Sequence, residues 1–477
     1  MGLVDADLLS VQEARVLMER AAQARGLLEW MGAAVEDRAL RGFRDCLDAQ
    51  GALWASRAVA ESDYGDSADG AELLAWVARD LVGQALEADP IHTLRSELDG
   101  TTTALMPRGV CVSLLPPLQT LPVLASHIVW AVKSRCPLVV SCPARVASSA
   151  KELFDAFAGV LAGLGFPDGA VAWLERVTPE GEACLVSSSQ ADFVIDGRGA
   201  APPGIGAVVE TGRGNNPVFV ERTANVVNAA RQIVASASFD CGALPGADGS
   251  LVVDRAVDAA FRSALQAEGC RFLDGDEARR VAAVLFDSAG NPRPEALAKP
   301  AAELARRAGV ACAGGCRLLV AEHPYVSSAG AHVGACAAPF VTYYVEDDWR
   351  EACQKCIELI LAHGRGSCLA VFTGDEAVAR EFVLRKPVSR VLVNSACGLG
   401  SCGRTARLPA SLTLGRWRSG ASTRPAVTRE DFLSPRSVGF ACPVAPRPLG
   451  NPRNQATGDP FGQLLCDLQP LRGEEER

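Results

Sequence analysis

The chain of 477 residues is longer than one hydrophobic core usually fills, which predicts two large lobes with small appendages. Hydrophobic residues make up 48% and charged residues 22%, so the body is expected to be folded rather than a disordered polyelectrolyte. A net charge of -9 offers no basic field against phosphates, which excludes nucleic acid and anionic membrane as partners and leaves small molecules.

The first predicted elements are amphipathic helices from Leu8 to about Gly83, where Val11, Ala14, Leu17, Met18 and Ala21 recur at helical spacing. An alternation then begins: Val110 to Leu115 as strand, Leu121 to Lys133 as helix, Pro137 to Ser141 as strand, Ala147 to Leu164 as helix. Strands at Ala170 to Leu174 and Phe193 to Ile195 continue it, and strand alternating with helix predicts a doubly wound parallel sheet. The apolar run Val110 to Val132 is long enough to cross a bilayer, but Pro116, Pro117, Gln119, Pro122 and His127 break it into strand, turn and buried helix.

A second α/β lobe is expected from near Ala235. Its strands are Ser250 to Val253, Cys316 to Ala321, Phe340 to Val345, Leu369 to Thr373 and Val391 to Asn394. Helices at Asp254 to Glu268, Ala301 to Ala308, Trp349 to Ala362 and Asp375 to Leu384 lie between them. Residues 441–477, rich in Pro, Gly, Asn and Arg, read as a loosely held tail in which 460–471 has the pattern of a short amphipathic helix. An odd count of 17 cysteines in a long chain, with no basic-then-apolar stretch after Met1, points to a reducing, cytoplasmic setting.

Several short strings carry a family likeness. Gly212-Arg213-Gly214-Asn215-Asn216-Pro217-Val218 is followed by Ala224-Asn225 and by Ser238-Phe239-Asp240. Lys133-Ser134-Arg135-Cys136-Pro137, Gly165-Phe166-Pro167-Asp168-Gly169, Lys299-Pro300 and Ser411-Leu412-Thr413-Leu414-Gly415 stand in matching order. Together they resemble the CoA-acylating branch of the aldehyde dehydrogenase superfamily, above all the aldehyde half of bifunctional aldehyde-alcohol dehydrogenases, over about residues 8 to 440. The resemblance implies an aldehyde dehydrogenase fold: two three-layer α/β lobes, one Rossmann-like for the cofactor and one for the catalytic thiol, with a small oligomerisation extension. The implied division is residues 1–235 for the lead helices and cofactor lobe, 236–410 for the thiol lobe, 411–440 for a return segment and 441–477 for the tail. It also implies NAD as cofactor, coenzyme A and an aldehyde as substrates, and a homo-oligomer or an association with related enzymes. Some such enzymes sit in bacterial microcompartments, which the tail pattern would suit.

That chemistry requires a thiolate to attack the aldehyde carbon, donors for the alkoxide and a nicotinamide to take the hydride. The family's nucleophilic cysteine falls on Pro245, or on Gly246 when Leu244-Pro245 is matched to the Leu-Pro-Cys of the ethanolamine and propanediol relatives. Cys241 is the candidate displaced nucleophile, the alternative being an inert small hydrophobe. Gln119 matches the family's oxyanion asparagine, on an arm one methylene longer, against the alternative of a solvated turn residue. On the cofactor side Gly197, Arg198, Gly212, Gly214 and Asn215 are the candidate binding residues. Asp196 adds negative charge where a pyrophosphate would sit, and the family's ribose-binding glutamate falls on Ala335. Glu210 adjoins the glycine string, but the register puts the classical general base on Thr211.

Cys353-Gln354-Lys355-Cys356 has the spacing of a zinc or redox pair, yet the two sulfurs share one face of a predicted helix, where core packing is commoner. His92, His127, His323, His332 and His363 form no motif, and no metal ligand is assigned. Two functions stay open: an NAD-linked acylating dehydrogenase working through Cys241, or a catalytically impaired homologue acting as a binding or structural partner.

Overall fold

The computed structural model describes residues 5–96, 101–198, 208–210 (backbone only), 214–312, 314–326, 336–362, 368–415 and 426–440. The chain divides into two units, residues 1–91 with 107–434 and residues 92–106 with 435–477, and both large sheets lie in the first. The tail, Gly212 and Ala335, for which the sequence raises expectations, lie outside the described residues.

The amino-terminal helices are α1 (Ala6–Leu28), α2 (Ala33–Ser62) and α3 (Ser67–Trp76), the last running through a π turn, Val77–Leu81, into α4 (Val82–Glu87). Asp66 caps α3 by accepting from the N–H groups of Ala68 and Asp69, which satisfies donors a helix start leaves orphaned. A small three-stranded sheet is formed by β1 (Leu94–Ser96), antiparallel β2 (Thr102–Pro107) and, much later in the chain, Leu433–Val438.

The first large sheet is built from β3 (Cys111–Leu114), α5 (Thr120–Lys133), β4 (Leu138–Ser141), α6 (Ala147–Gly163), β5 (Val171–Trp173), α7 (Pro179–Val186), β6 (Phe193–Asp196) and β7 (Val208–Glu210). Its five strands are parallel in the order β5-β4-β3-β6-β7. β3 and β4 are buried at every residue, the expected state of strands covered on both faces and the reason their sequences run apolar without alternation. Helix α5 is buried along its whole length, so the long apolar run resolves into strand, turn and interior helix.

The second sheet takes in β8 (Pro217–Val220), α8 (Val226–Ser238), β9 (Ser250–Asp254), α9 (Asp258–Ala267), β10 (Cys270–Leu273), α10 (Gly275–Leu285), α11 (Ala301–Arg307), β11 (Leu318–Glu322) and β12 (Phe340–Glu346). It continues with α12 (Trp349–Ala362), β13 (Cys368–Phe372), α13 (Glu376–Arg385) and β14 (Arg390–Val393). Seven parallel strands run β10-β11-β12-β9-β8-β13-β14. Pairing of Val218 with Leu251 and Ala370 places β8, which precedes residue 235, inside this sheet between β9 and β13. Among the described residues no helix is long and apolar enough to cross a membrane.

Candidate active site

A cavity of about 510 Å³ opens where the carboxyl ends of β3 and β6 meet the loop that follows α8. Its wall includes Leu118 and Gln119 from the β3–α5 turn, Gly197 and Arg198 after β6, and Ala243 and Pro245 from the loop. Pro245 therefore stands on the wall at the position where the resemblance puts the nucleophile. No cysteine lines the cavity among the described residues.

The loop is held in an unusual conformation. Asp240 (φ 48), Cys241 (φ 54) and Gly242 (φ 76) are consecutive left-handed residues, and a Cβ on Gly242 would come within 2.5 Å of the Ala338 carbonyl. Two non-glycine residues in that region cost about 1–3 kcal/mol each, so the surroundings must impose the turn. They do so through carboxylates: Asp240 accepts from the N–H of Asp66 at 2.7 Å, and its own N–H donates to Asp69 Oδ2 at 2.6 Å. Further on, Asn216 Nδ2 donates to the Ala247 carbonyl at 3.0 Å and its Oδ1 accepts from the N–H of Cys368 at 3.1 Å, pinning the far end of the loop to the second sheet.

This turn decides the standing of Cys241. Its side chain is 8% exposed and packs with Leu118, Ala243, Ala298 and Ala337. Leu118, Ala243 and Ala337 line the cavity themselves, so the sulfur sits behind the wall rather than on it. Burial pushes the thiol up to about 12, and the charges of Asp240, Asp66 and Asp69 push the same way while Lys299 opposes them. A nucleophilic thiol needs the opposite environment, one that favours thiolate. The geometry gives Cys241 packing contacts and no place on the cavity wall.

Gln119 begins α5 in the left-handed region (φ 59) and donates its amide N–H to the Asp240 carboxylate. It lines both the large cavity and a smaller one of about 60 Å³ that Asp240 also borders. One of its two amide N–H bonds is thus committed to an internal acceptor, while its Oε1 is buried without a partner among the described residues. Asp240 is pushed up to about 7, by burial first and by the Asp69 charge, against the bonds from Asp66 and Gln119. A carboxyl that titrates near neutrality beside a cavity is a feature the sequence reading missed, and no local signal in Ser238-Phe239-Asp240 announces it.

The described cofactor candidates make contacts within the protein. The N–H of Gly197 donates to the Leu114 carbonyl at 2.8 Å and that of Arg198 to Asp196 Oδ1 at 2.9 Å, so neither faces outward. The Arg198 side chain donates to Leu115 O at 2.8 Å, to Ser141 O at 3.0 Å and to Glu182. A pyrophosphate is held by free backbone donors at a helix start, and the described residues of this turn do not fit one. Coenzyme A brings a diphosphate as well, and the same misfit applies at this position. Asn215 is 1% exposed, its Oδ1 accepting from Ser250 Oγ at 3.0 Å, and Gly214 is buried just ahead of β8. Both serve the second sheet. The Glu210 side chain and Gly212 lie outside what the structure describes. On α12, Cys356 is fully buried while Cys353 is partly exposed and accepts from Lys386 Nζ; among the described residues no group of His, Cys, Asp and Glu gathers as a metal site.

Comparison with known proteins agrees with this architecture. No protein-family model matches the chain. The aldehyde-alcohol dehydrogenase of Streptococcus pneumoniae is 23% identical over 389 residues, which is 77% of this chain and 43% of that protein. A sulfoacetaldehyde dehydrogenase (acylating) of Bilophila wadsworthia is 24% identical over 370 residues, 74% of this chain and 77% of its own length. The chain spans less than half the length of the bifunctional relatives it matches. Among solved structures, a probable aldehyde dehydrogenase from Listeria monocytogenes superposes with a TM-score of 0.88 at 25% identity, covering 92% of this chain and 98% of that one. An acetylating aldehyde dehydrogenase from Geobacillus thermoglucosidasius gives 0.87 at 23%, covering 94% and 100%. The two-lobed α/β fold is that of the aldehyde dehydrogenases. Within that class the chain is a low-identity relative of the CoA-acylating branch.

Proposed function

We propose that this protein is a non-acylating homologue of the CoA-acylating aldehyde dehydrogenases, one that keeps the cleft as a binding site for a small, largely apolar molecule. The observation that carries this reading is the cavity wall, where Pro245 stands in place of a thiol and Cys241 lies behind it with its proton held by burial. Without a sulfur on the wall no thiohemiacetal forms, and thiohemiacetal formation is the step that precedes hydride transfer and passage of the acyl group to coenzyme A. A pocket of this size lined mainly by proline and leucine still suits a small apolar ligand. The scaffold would then act as a partner for active relatives or as a homo-oligomer.

The test is to incubate the purified protein with acetaldehyde or propionaldehyde, coenzyme A and NAD, follow NADH, and examine the intact mass for an acyl adduct. Neither NADH nor adduct is expected. Turnover that disappears in Cys241→Ser would establish the rival reading, an acylating dehydrogenase with a displaced nucleophile.

A further inference from the structure

The geometry points to Arg198 as the chain's own occupant of the strand-end crevice. We propose that its guanidinium, latched by Glu182, closes the seat of a diphosphate and excludes NAD, NADP and other diphosphate ligands from the first sheet. The inference is independent of the missing thiol, since binding and acylation are separate events.

In a doubly wound sheet, ligands bind outside the carboxyl ends of the strands. Here those ends are bridged by one side chain. Arg198 Nε reaches the carbonyl after β3, at Leu115, and Nη2 reaches the last carbonyl of β4, at Ser141, with the Ser141 hydroxyl 3.4 Å away. Nη1 meets Glu182 on α7, and Ser141 Oγ also donates to that carboxylate. Arginine and glutamate are only 18% and 17% exposed, so separating them would strand a charge in a mostly dry place. The diphosphate of an incoming ligand would have to displace a guanidinium already bonded on three sides.

The backbone closes the same space. A Cβ on Gly197 would lie 2.6 Å from Leu114 O and 2.8 Å from Pro116, so the turn after β6 presses directly on the start of the β3–α5 connection. Glycine here serves close packing of protein on protein instead of the approach of a phosphate. Asp196, 1% exposed, accepts the N–H of Arg198 and so takes up a backbone donor of the turn that a diphosphate would need.

The experiment uses the full chain with ADP, NAD and NADP as probes, read by thermal shift and titration calorimetry. No stabilisation of the wild type is expected at concentrations of about 1 mM. In Glu182→Gln the guanidinium loses its counter-charge and becomes available, and a gain in ADP affinity of about tenfold or more is expected, as for a charge-assisted pair newly formed. Wild-type stabilisation by any of the three would overturn the inference, and so would a folded Glu182→Gln that gains nothing. Nucleotide binding without NADH production would sink this inference while leaving the non-acylating reading intact.

Discussion

Replacing Asp240 by asparagine should make the protein more stable at alkaline pH and leave it unchanged at acid pH. The carboxyl rises from 3.8 to about 7 on folding, mainly through burial. Between those values the folded chain holds a proton that the unfolded chain has released, so stability falls as pH climbs through this window and the loss is complete above about 7. At about 1.4 kcal/mol per unit, a displacement of roughly three units is worth on the order of 4 kcal/mol. Asparagine removes the ionisation, keeps an acceptor for the N–H of Asp66 and tolerates the left-handed backbone. Denaturant midpoints of both proteins measured from pH 3.5 to 8.5 should therefore coincide only at the acid end, separate steadily between about pH 4 and 7, and stay apart by a constant amount above that. Asp248, pushed up to about 6 by burial, contributes in the same direction in both chains and drops out of the difference. A wild-type minus variant difference that stays flat with pH would refute the reasoning, as would a variant less stable at pH 8.

Other outcomes follow from buried polar contacts. Arg135, 7% exposed, pairs with Glu36, 0% exposed, and donates to the Glu29 carbonyl at 2.8 Å. Glu36→Ala should cost about 3–5 kcal/mol in unfolding measurements, and the double change Glu36→Leu, Arg135→Met should recover most of it. His127, bonded to Ser113 Oγ at 2.9 Å and Thr413 Oγ1 at 3.0 Å, is held down to about 3 by burial. Its ring resonances should not titrate between pH 8 and 4.5, and its share of stability should decline as pH drops below about 6.5, where the unfolded ring takes a proton. Brief alkylation of the native protein followed by peptide mass mapping should find Cys353 modified well before Cys241, since the first is partly exposed against a lysine and the second is packed behind the cavity wall.

Where the sequence could be read, the physics was local. β3, α5, β4, α6 and β6 appear within a few residues of their expected ends because fully buried strands give unbroken apolar runs and helices give their own spacing. β10 and α10 were not expected: Cys-Arg-Phe-Leu is too short to show a period, although the Asp274/Glu277 capping box is a start signal that was there to be found. The sheet to which β8 belongs depends on partners such as Leu251 and Ala370, which no window around Pro217 contains. The site divides the same way. Sequence order alone brought Pro245 to the wall, but Cys241 is governed by Asp66 and Asp69 from the far amino-terminal helices, and Gln119 by Asp240. Arg198 is the sharpest instance, for in sequence it is a cation beside a glycine turn, whereas in space Glu182 has already claimed it.

On the proposed reading two separate changes stand between this chain and its relatives' chemistry, one in the loop after α8 and one at the strand ends, and undoing the first should not undo the second. Pro245→Cys returns a sulfur to the cavity wall, which none of Asp240, Asp66 and Asp69 lines. The new thiol should be alkylated faster than Cys241 by at least about tenfold, because it lines a cavity whereas Cys241 is packed behind the wall. NADH should still not appear with aldehyde and coenzyme A, because Arg198 continues to bridge β3 and β4. Appearance of NADH in the single variant would mean that the crevice admits a dinucleotide after all, and that one missing sulfur accounts for the whole difference.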